Sequence, residues 1–141
     1  MGGSGPRPSL GLAAAEAPQA ATRRILIVDD ERDAADSLEL LLEVRGHEVR
    51  AATDGRAALE AVQTFEAEIA LVDLGLPGID GYDLAPLLRE RLPNAVLVAT
   101  TGYQKDSARL EAAGFQHYLL KPVDLQRLTE ILAIPSRRGG D

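Results

Sequence analysis

Asp29 and Asp30 side by side, a third acid at Asp73, the hydroxyl pair Thr100-Thr101, and Lys121 are the residues whose types could do chemistry together. Carboxylates held about 5 Å apart repel by about 3 kcal/mol at an effective dielectric near 20, so three of them raise one another's pKa unless a cation lies between. A hard, oxygen-bound Mg²⁺ is the natural guest. Lys121 brings a positive charge suited to an anionic group, and Thr101 a hydroxyl donor for one of its oxygens. Acids, metal, lysine and hydroxyl describe phosphoryl-transfer chemistry in which an Asp carboxylate can be the nucleophile. Each acid also has a plainer reading. An Asp after a strand caps the following turn, and the DDERD run at Asp29 to Asp33 is good chemistry for a helix N-terminus. Residue types alone leave both readings open.

The chemistry requires residues far apart in sequence to meet, and the hydropathy pattern supplies the means. Four-residue apolar runs at Ile25-Leu26-Ile27-Val28 and Ile69-Ala70-Leu71-Val72 read as strands buried on both faces, each ending on an acid. Ala95 to Ala99 is a third such run, ending on the threonines, and Gln116 to Leu120 a short last strand ending on Lys121-Pro122. His47 to Ala52 alternates, which suits an exposed edge strand, with His47 a surface residue. Between them lie helical patterns. One near Arg32 to Arg45 carries Ala34, Leu38, Leu41 and Leu42, and a second from about Gly55 to Thr64 carries Ala58, Leu59 and Val62. A third near Tyr82 to Arg91 carries Leu84, Leu87 and Leu88, with Pro86 expected in or just past its first turn. A fourth, Lys105 to Ala113, has little apolar bulk and is expected to be the least firmly held. A fifth follows Asp124 with Leu125, Leu128 and Leu132. Strands alternating with helices of this length predict an α/β fold with a parallel sheet and helices on both faces. All strand carboxyl ends then share one rim, where such sheets place their ligands.

The totals bound the alternatives. With 141 residues, 45% of them hydrophobic, the chain is about one domain long. Met1 to Thr22 is Gly, Ala and Pro rich and reads as a flexible linker or tag, residues 23–134 as the domain, and 135–141 as a loose tail. The 22 acids against 15 bases give a net charge of −7, which argues against general contact with nucleic acid or an anionic membrane. The absence of cysteine excludes disulfides and thiolate chemistry, and His47 and His117 are too few for a histidine metal cluster. No apolar run approaches the roughly 18 residues of a membrane span, and a cytoplasmic protein is expected.

ILIVDDERDAADSLELLLEVRGHEVR, ALVDLGLPGIDGYDL, LVATTGY and AGFQHYLLKPVD, in that order, resemble the receiver domain of two-component response regulators over Arg23 to Ile134. The resemblance implies a flavodoxin-like (βα)5 fold with strand order 2-1-3-4-5. It implies that Asp73 is the phosphoacceptor, taking its group from a phosphohistidine on a sensor histidine kinase or histidine phosphotransfer protein. It assigns Mg²⁺ to Asp30 and Asp73 with the Gly75 carbonyl, and Asp29 acting mainly through water. Lys121 would pair with the phosphoryl oxygens, Thr101 would move to hydrogen-bond them, and Tyr118 would be the switch aromatic. Thr101 is preferred to Thr100 because Gly102 follows it. The Lys121-Pro122 bond is expected to be cis.

On the same resemblance, phosphorylation would change the face made by helix 4, strand 5 and helix 5, with Lys105, Arg109, Tyr118 and Arg127 nearby, and a downstream protein would read that face. Gly75 and Tyr103 occupy positions that tune acyl-phosphate hydrolysis in the family. Neither carries an acid or amide, so a phosphoryl group lasting minutes or longer is expected. The chain is expected to act as an acceptor rather than a turnover enzyme, with no output domain. The Ala/Pro linker and the DLGLPGIDGY wording resemble receivers at the C-terminal end of hybrid sensor kinases. Other readings are a receiver-like module that serves only protein contacts and an Asp-nucleophile phosphohydrolase. The second would want an acid two residues after its nucleophile, where this chain has Gly75. No G-x-G-x-x-G or P-loop follows a strand to suggest a nucleotide site.

Overall fold

The computed structural model describes residues 22–102 and 106–134, so the expected linker and tail lie outside the described residues, as do Tyr103 and Lys105. Among the described residues, five strands alternate with five helices: β1 Arg24–Val28, α1 Arg32–Val44, β2 Glu48–Ala52, α2 Gly55–Ala61, β3 Ile69–Asp73, α3 Gly81–Arg91, β4 Val96–Thr101, α4 Ser107–Ala113, β5 His117–Leu120 and α5 Leu125–Leu132. All strand pairs are parallel, in the order β2-β1-β3-β4-β5. This is the flavodoxin-like order, used in general accounts of doubly wound sheets as a standard example.

The continuous apolar runs are buried on both faces because alternate residues serve different cores. Leu26, Val28, Ala70, Val72, Leu97 and Ala99 meet α2, α3 and α4 through Ala58, Leu84, Leu88 and Leu110. Ile25, Ile27, Ile69, Leu71 and Val98 meet α1 and α5 through Ala35, Leu42, Leu128 and Leu132. Central β1 and β3 thus have no solvent face, and Asp29, just after β1, and Asp73, the last residue of β3, stand at the rim.

Several elements depart from the sequence expectation. The third apolar run continues as strand through Thr100 and Thr101, both buried, because β-branched threonines keep β geometry after the aliphatics end. On α1 the buried positions are Ala35 and Leu42, and Ala34 is exposed. Helix α3 begins at Gly81, capped by Asp80, so Pro86 falls beyond the first turn and removes the amide that would bond the Tyr82 carbonyl. Leu87, expected inside α3, is exposed while Ala85 is buried. Helix α4 begins at Ser107, two residues later than expected, where Asp106 accepts from the Arg109 amide. Gly46, with φ of 99°, adopts the left-handed backbone beyond α1. His47 is half-buried rather than a surface residue, its Nδ1 accepting from the Arg23 amide.

Arginines close the opposite end of the sheet. The buried Arg23 side chain donates from Nε to the Leu132 carbonyl at 3.1 Å and from a terminal nitrogen to the Ile134 carbonyl at 2.6 Å, satisfying carbonyls at the end of α5. Arg89 donates to the carbonyls of Pro93 and Ala95 and to Gln116 Oε1, which also accepts from the Leu97 amide.

Candidate functional site

Strand β1 delivers Asp29 and β3 delivers Asp73, and both carboxylates are held in the same way. One oxygen of each accepts from a backbone amide two residues on: Asp29 Oδ1 from Glu31 N at 2.9 Å, and Asp73 Oδ1 from Gly75 N at 2.9 Å. The other oxygen of each faces Lys121 Nζ at 3.0 Å. Turn capping therefore occupies one oxygen of each acid and leaves the other to Lys121, so a capping role does not use up either carboxylate. In the DDERD run, Glu31 occupies the N-cap of α1 without a side-chain bond, so Asp29 is not the cap of that helix.

Both acids are buried, at 8% and 7% exposure for Asp29 and Asp73, while Asp30 is exposed beside them. Burial disfavours the Lys121 ammonium, but its hydrogen bonds to Asp73 and Asp29, with their negative charges, outweigh that and raise its pKa above the usual lysine value. The lysine stays charged at neutral pH and neutralises part of the acid cluster. Its backbone is fixed as well: Lys121 N donates to the Thr101 carbonyl at 2.8 Å, and the Lys121-Pro122 bond is cis, as the resemblance implied.

The chemistry of the donor set fits a hard cation. Carboxylate oxygens of Asp29, Asp30 and Asp73 lie within 4.8 Å of one another, and three anionic oxygens with an open, solvent-facing side suit Mg²⁺, which keeps several waters of its own. Gly75 lies next to this cluster, its amide bonded to Asp73.

Thr100 and Thr101 are separated by the pleat. Thr100 pairs with Asp73 across β3 and β4, and its carbonyl accepts from Leu74 N at 2.9 Å. Thr101 falls on the alternate positions with Leu97 and Ala99, the side on which Tyr118 packs. Tyr118 is half-buried there, paired with Ala99. The two residues expected to act as a switch thus share one face of the sheet.

The expected partner surface is only partly assembled. Tyr118 and Arg127 lie on the β5 and α5 side, and the Arg127 charge, after burial, helps lower the His117 pKa. Arg109 points the other way, against α3, with its guanidinium carbon 3.9 Å from the Tyr82 ring centroid. The sequence carried no signal for that contact, because a long side chain on a short helix can reach either neighbour.

Another feature with no sequence signal is the seat of Gly81. Its Cα lies so near the Asp73 backbone that an added Cβ would stand 2.6 Å from the Asp73 carbonyl oxygen and 2.8 Å from Leu74 Cα. The DG step at Asp80-Gly81 was the available clue, read only as part of a loop.

Comparison with known proteins fits this geometry. The family model for the response regulator receiver domain matches residues 25–133. The sensory transduction protein RegX3 of Mycobacterium tuberculosis is 37% identical over 121 residues, covering 83% of this chain and 52% of its own length. The chain spans about half the length of the curated relatives it matches. Among solved structures, a CheY-like receiver domain protein from Methanospirillum hungatei aligns with a TM-score of 0.72 at 31% identity, over 79% of this chain and 94% of that one. The response regulator protein TrrA from Thermotoga maritima, in complex with Mg²⁺-BeF, aligns with a TM-score of 0.70 at 27% identity, over 79% and 96%. No helix among the described residues is long and apolar enough to cross a membrane. From its sheet order, its rim of acids and lysine, and these matches, the chain belongs to the receiver domain family of two-component response regulators.

Proposed function

We propose that Asp73 accepts a phosphoryl group from a phosphohistidine on a sensor histidine kinase or histidine phosphotransfer protein, in a site that also binds Mg²⁺. What carries the reading is the single ammonium of Lys121 held 3.0 Å from both Asp29 and Asp73, at the ends of two buried central strands. A cation already lies where negative charge would grow, and the acids beside it supply the nucleophile. The Mg²⁺-BeF complex of the Thermotoga maritima relative supports the same use of the rim.

Asp29, Asp30 and Asp73, with the Gly75 carbonyl, would hold the metal, which when bound supplies positive charge to the phosphoryl oxygens. The Asp73 carboxylate forms a new oxygen–phosphorus bond as the phosphorus–nitrogen bond of the donor breaks. The electron pair returns to the imidazole, which takes up a proton from water. The product is an acyl phosphate carrying about 1.5 to 2 negative charges. Lys121 neutralises part of that charge, and Thr101 turns its hydroxyl to a phosphoryl oxygen. Tyr118 follows on the same face, so the α4, β5 and α5 surface changes and a downstream protein reads it. A hollow of about 310 Å³ on this surface, lined by Ser107, Leu110, Glu111, Phe115, His117 and Tyr118, gives such a partner a foothold.

An apolar groove of about 500 Å³ between α1 and the segment after Lys121 leads to the site, lined by Ala34, Leu38, Leu41, Pro122, Val123 and Leu125. A helix bearing the phosphohistidine can rest there with its imidazole toward Asp73. The group is then held rather than turned over, because Gly75 and Tyr103 offer no acid or amide to orient water, and its lifetime is minutes or longer. Nucleic acid and membrane are not partners in this reading, given the net charge of −7.

The test is intact mass after incubation with Mg²⁺ and acetyl phosphate. A gain of one phosphoryl group that needs both Mg²⁺ and Asp73, and is lost in Asp73→Asn, is expected. No adduct, even with rapid quenching and a candidate kinase, would leave the contact-only reading in its place.

A further inference from the structure

Helix α4 is short, and Leu110 is its one buried residue. Ala113 packs half-buried against the same core, and Arg109 adds a contact across the surface. The guanidinium carbon lies 3.9 Å from the Tyr82 ring centroid, and one terminal nitrogen lies 3.8 Å from Asp80 Oδ2. Asp80 is also tied in another direction: its Oδ1 caps α3 by accepting from the Asp83 amide at 3.0 Å. The next residue, Gly81, donates to the Leu74 carbonyl at 3.2 Å and sits against the Asp73 backbone closely enough to exclude a Cβ. From α4 to the acceptor's own main chain there is thus a continuous set of contacts, Arg109 to Asp80 to Gly81 to Asp73, that does not pass through Thr101.

We infer that Arg109, held between the Tyr82 ring and the Asp80 carboxylate, is a positioning residue that couples the placement of α4 to the loop leaving Asp73. The inference extends the phosphoacceptor reading and rests on it only for its second arm below. The site then has two routes to α4, one along the chain from Thr101 and one across the surface from the acceptor loop. The two parts of the clamp are unequal. With Arg109 and Asp80 side chains 55% and 37% exposed, their ion pair is well screened and contributes little. The guanidinium over the ring is the stronger half, since it also covers apolar surface. Tyr82→Leu should therefore act almost as Arg109→Ala does. Asp80→Asn, which keeps the capping oxygen, should act less.

The experiment is amide hydrogen exchange on the full chain, native and variant, first without ligand. Arg109→Ala is expected to lower protection of residues 107–113 by about threefold to tenfold, the range that contacts of this kind supply. Amides of residues 74–81 should lose protection in the same variant, while those of α1 stay as they were. Faster exchange in α4 alone, with the acceptor loop unchanged, would reduce Arg109 to a local anchor and overturn the inference. So would no change in either segment.

A second arm adds Mg²⁺ and beryllofluoride, followed by ¹⁹F resonances. Because coupling between two sites is reciprocal, a clamp that links them makes Arg109→Ala shift beryllofluoride affinity by about the factor by which it alters the ligand's effect on α4. Equal affinity and an equal α4 response in native and variant would count against the coupling. Failure of the native chain to bind beryllofluoride at all would count against the phosphoacceptor reading, while the ligand-free arm would still decide the role of Arg109.

Discussion

The acid rim and the α4 arm stand on the same sheet and are built on opposite principles. At the rim, Asp29 and Asp73 each close a strand with no solvent face and have one carboxylate oxygen fixed by a backbone amide and the other by Lys121. In the arm, a short helix buries Leu110 and leans on an exposed guanidinium. Pre-positioned groups suit the step in which a bond is made, because a displaced nucleophile loses the advantage of proximity. Loosely held elements suit the step in which a signal is passed, because a small free-energy change can move them. The contrast sets the acid rim and α4 in regions of different local stability, as the proposed acceptor and its responding surface would require.

Three substitutions test that contrast, from the largest effect to the smallest. Gly81→Ala presses a methyl against the Asp73 carbonyl, where the obstacle is main chain and cannot rotate away. A loss of about 1–3 kcal/mol in denaturant unfolding is expected, with slower uptake of the phosphoryl group from acetyl phosphate. Undiminished stability and uptake would mean that the rim yields as readily as α4. Lys121→Met removes the cation shared by two buried acids. Discounting for a lysine side chain that is 26% exposed, a loss of about 1–2 kcal/mol in metal-free buffer is expected. Mg²⁺ should raise the Tm of this variant more than that of the native chain, since the metal takes over the missing charge; an equal rise would separate the metal from the lysine's acids.

The smallest effect is at the far end of the sheet and serves as a control. Burial, then the charges of Arg23 and Arg45, lower the His47 pKa, with Glu68 opposing, and its Nδ1 accepts a hydrogen bond only when unprotonated. A folded-state pKa lowered for a base means that stability is full above the unfolded value of 6.5 and declines as pH falls from there through the folded value. His47→Gln should flatten part of that decline in urea titrations. His117, whose pKa is lowered by burial and by Arg127, contributes a decline of the same sign. Exchange in residues 74–81 should not change with His47→Gln, and a change there would show that the rim is less isolated than its packing implies.

The convergence of Asp29 and Asp73 is legible in the sequence because each follows a continuous apolar run and breaks it, whereas the order of the strands is legible only through the resemblance to receiver domains. Burial on both faces leaves few ways to read such a run, and a parallel sheet sends every run's end to one rim. Legibility failed where side chains were small or long. Alanines at positions 34 and 35 fix the phase of α1 poorly, since either can be exposed at little cost. The threonines of β4 are polar enough to resemble a strand end, yet their β-branched geometry keeps them in the strand. The contacts of Arg109 leave no mark in the local sequence because its partners, Tyr82 and Asp80, lie 27 and 29 residues earlier.

The Arg23 clasp has a mechanical consequence. Its guanidinium joins the start of β1 to the last carbonyls of α5, so residues 23 and 134 meet at the end of the sheet away from the acids. Tension applied to the two flanks would load that clasp first and then peel α5 from its face. The strands that end in Asp29 and Asp73 lie behind it in series, so a pull transmitted through neighbouring segments would be borne by the back of the domain before reaching the rim.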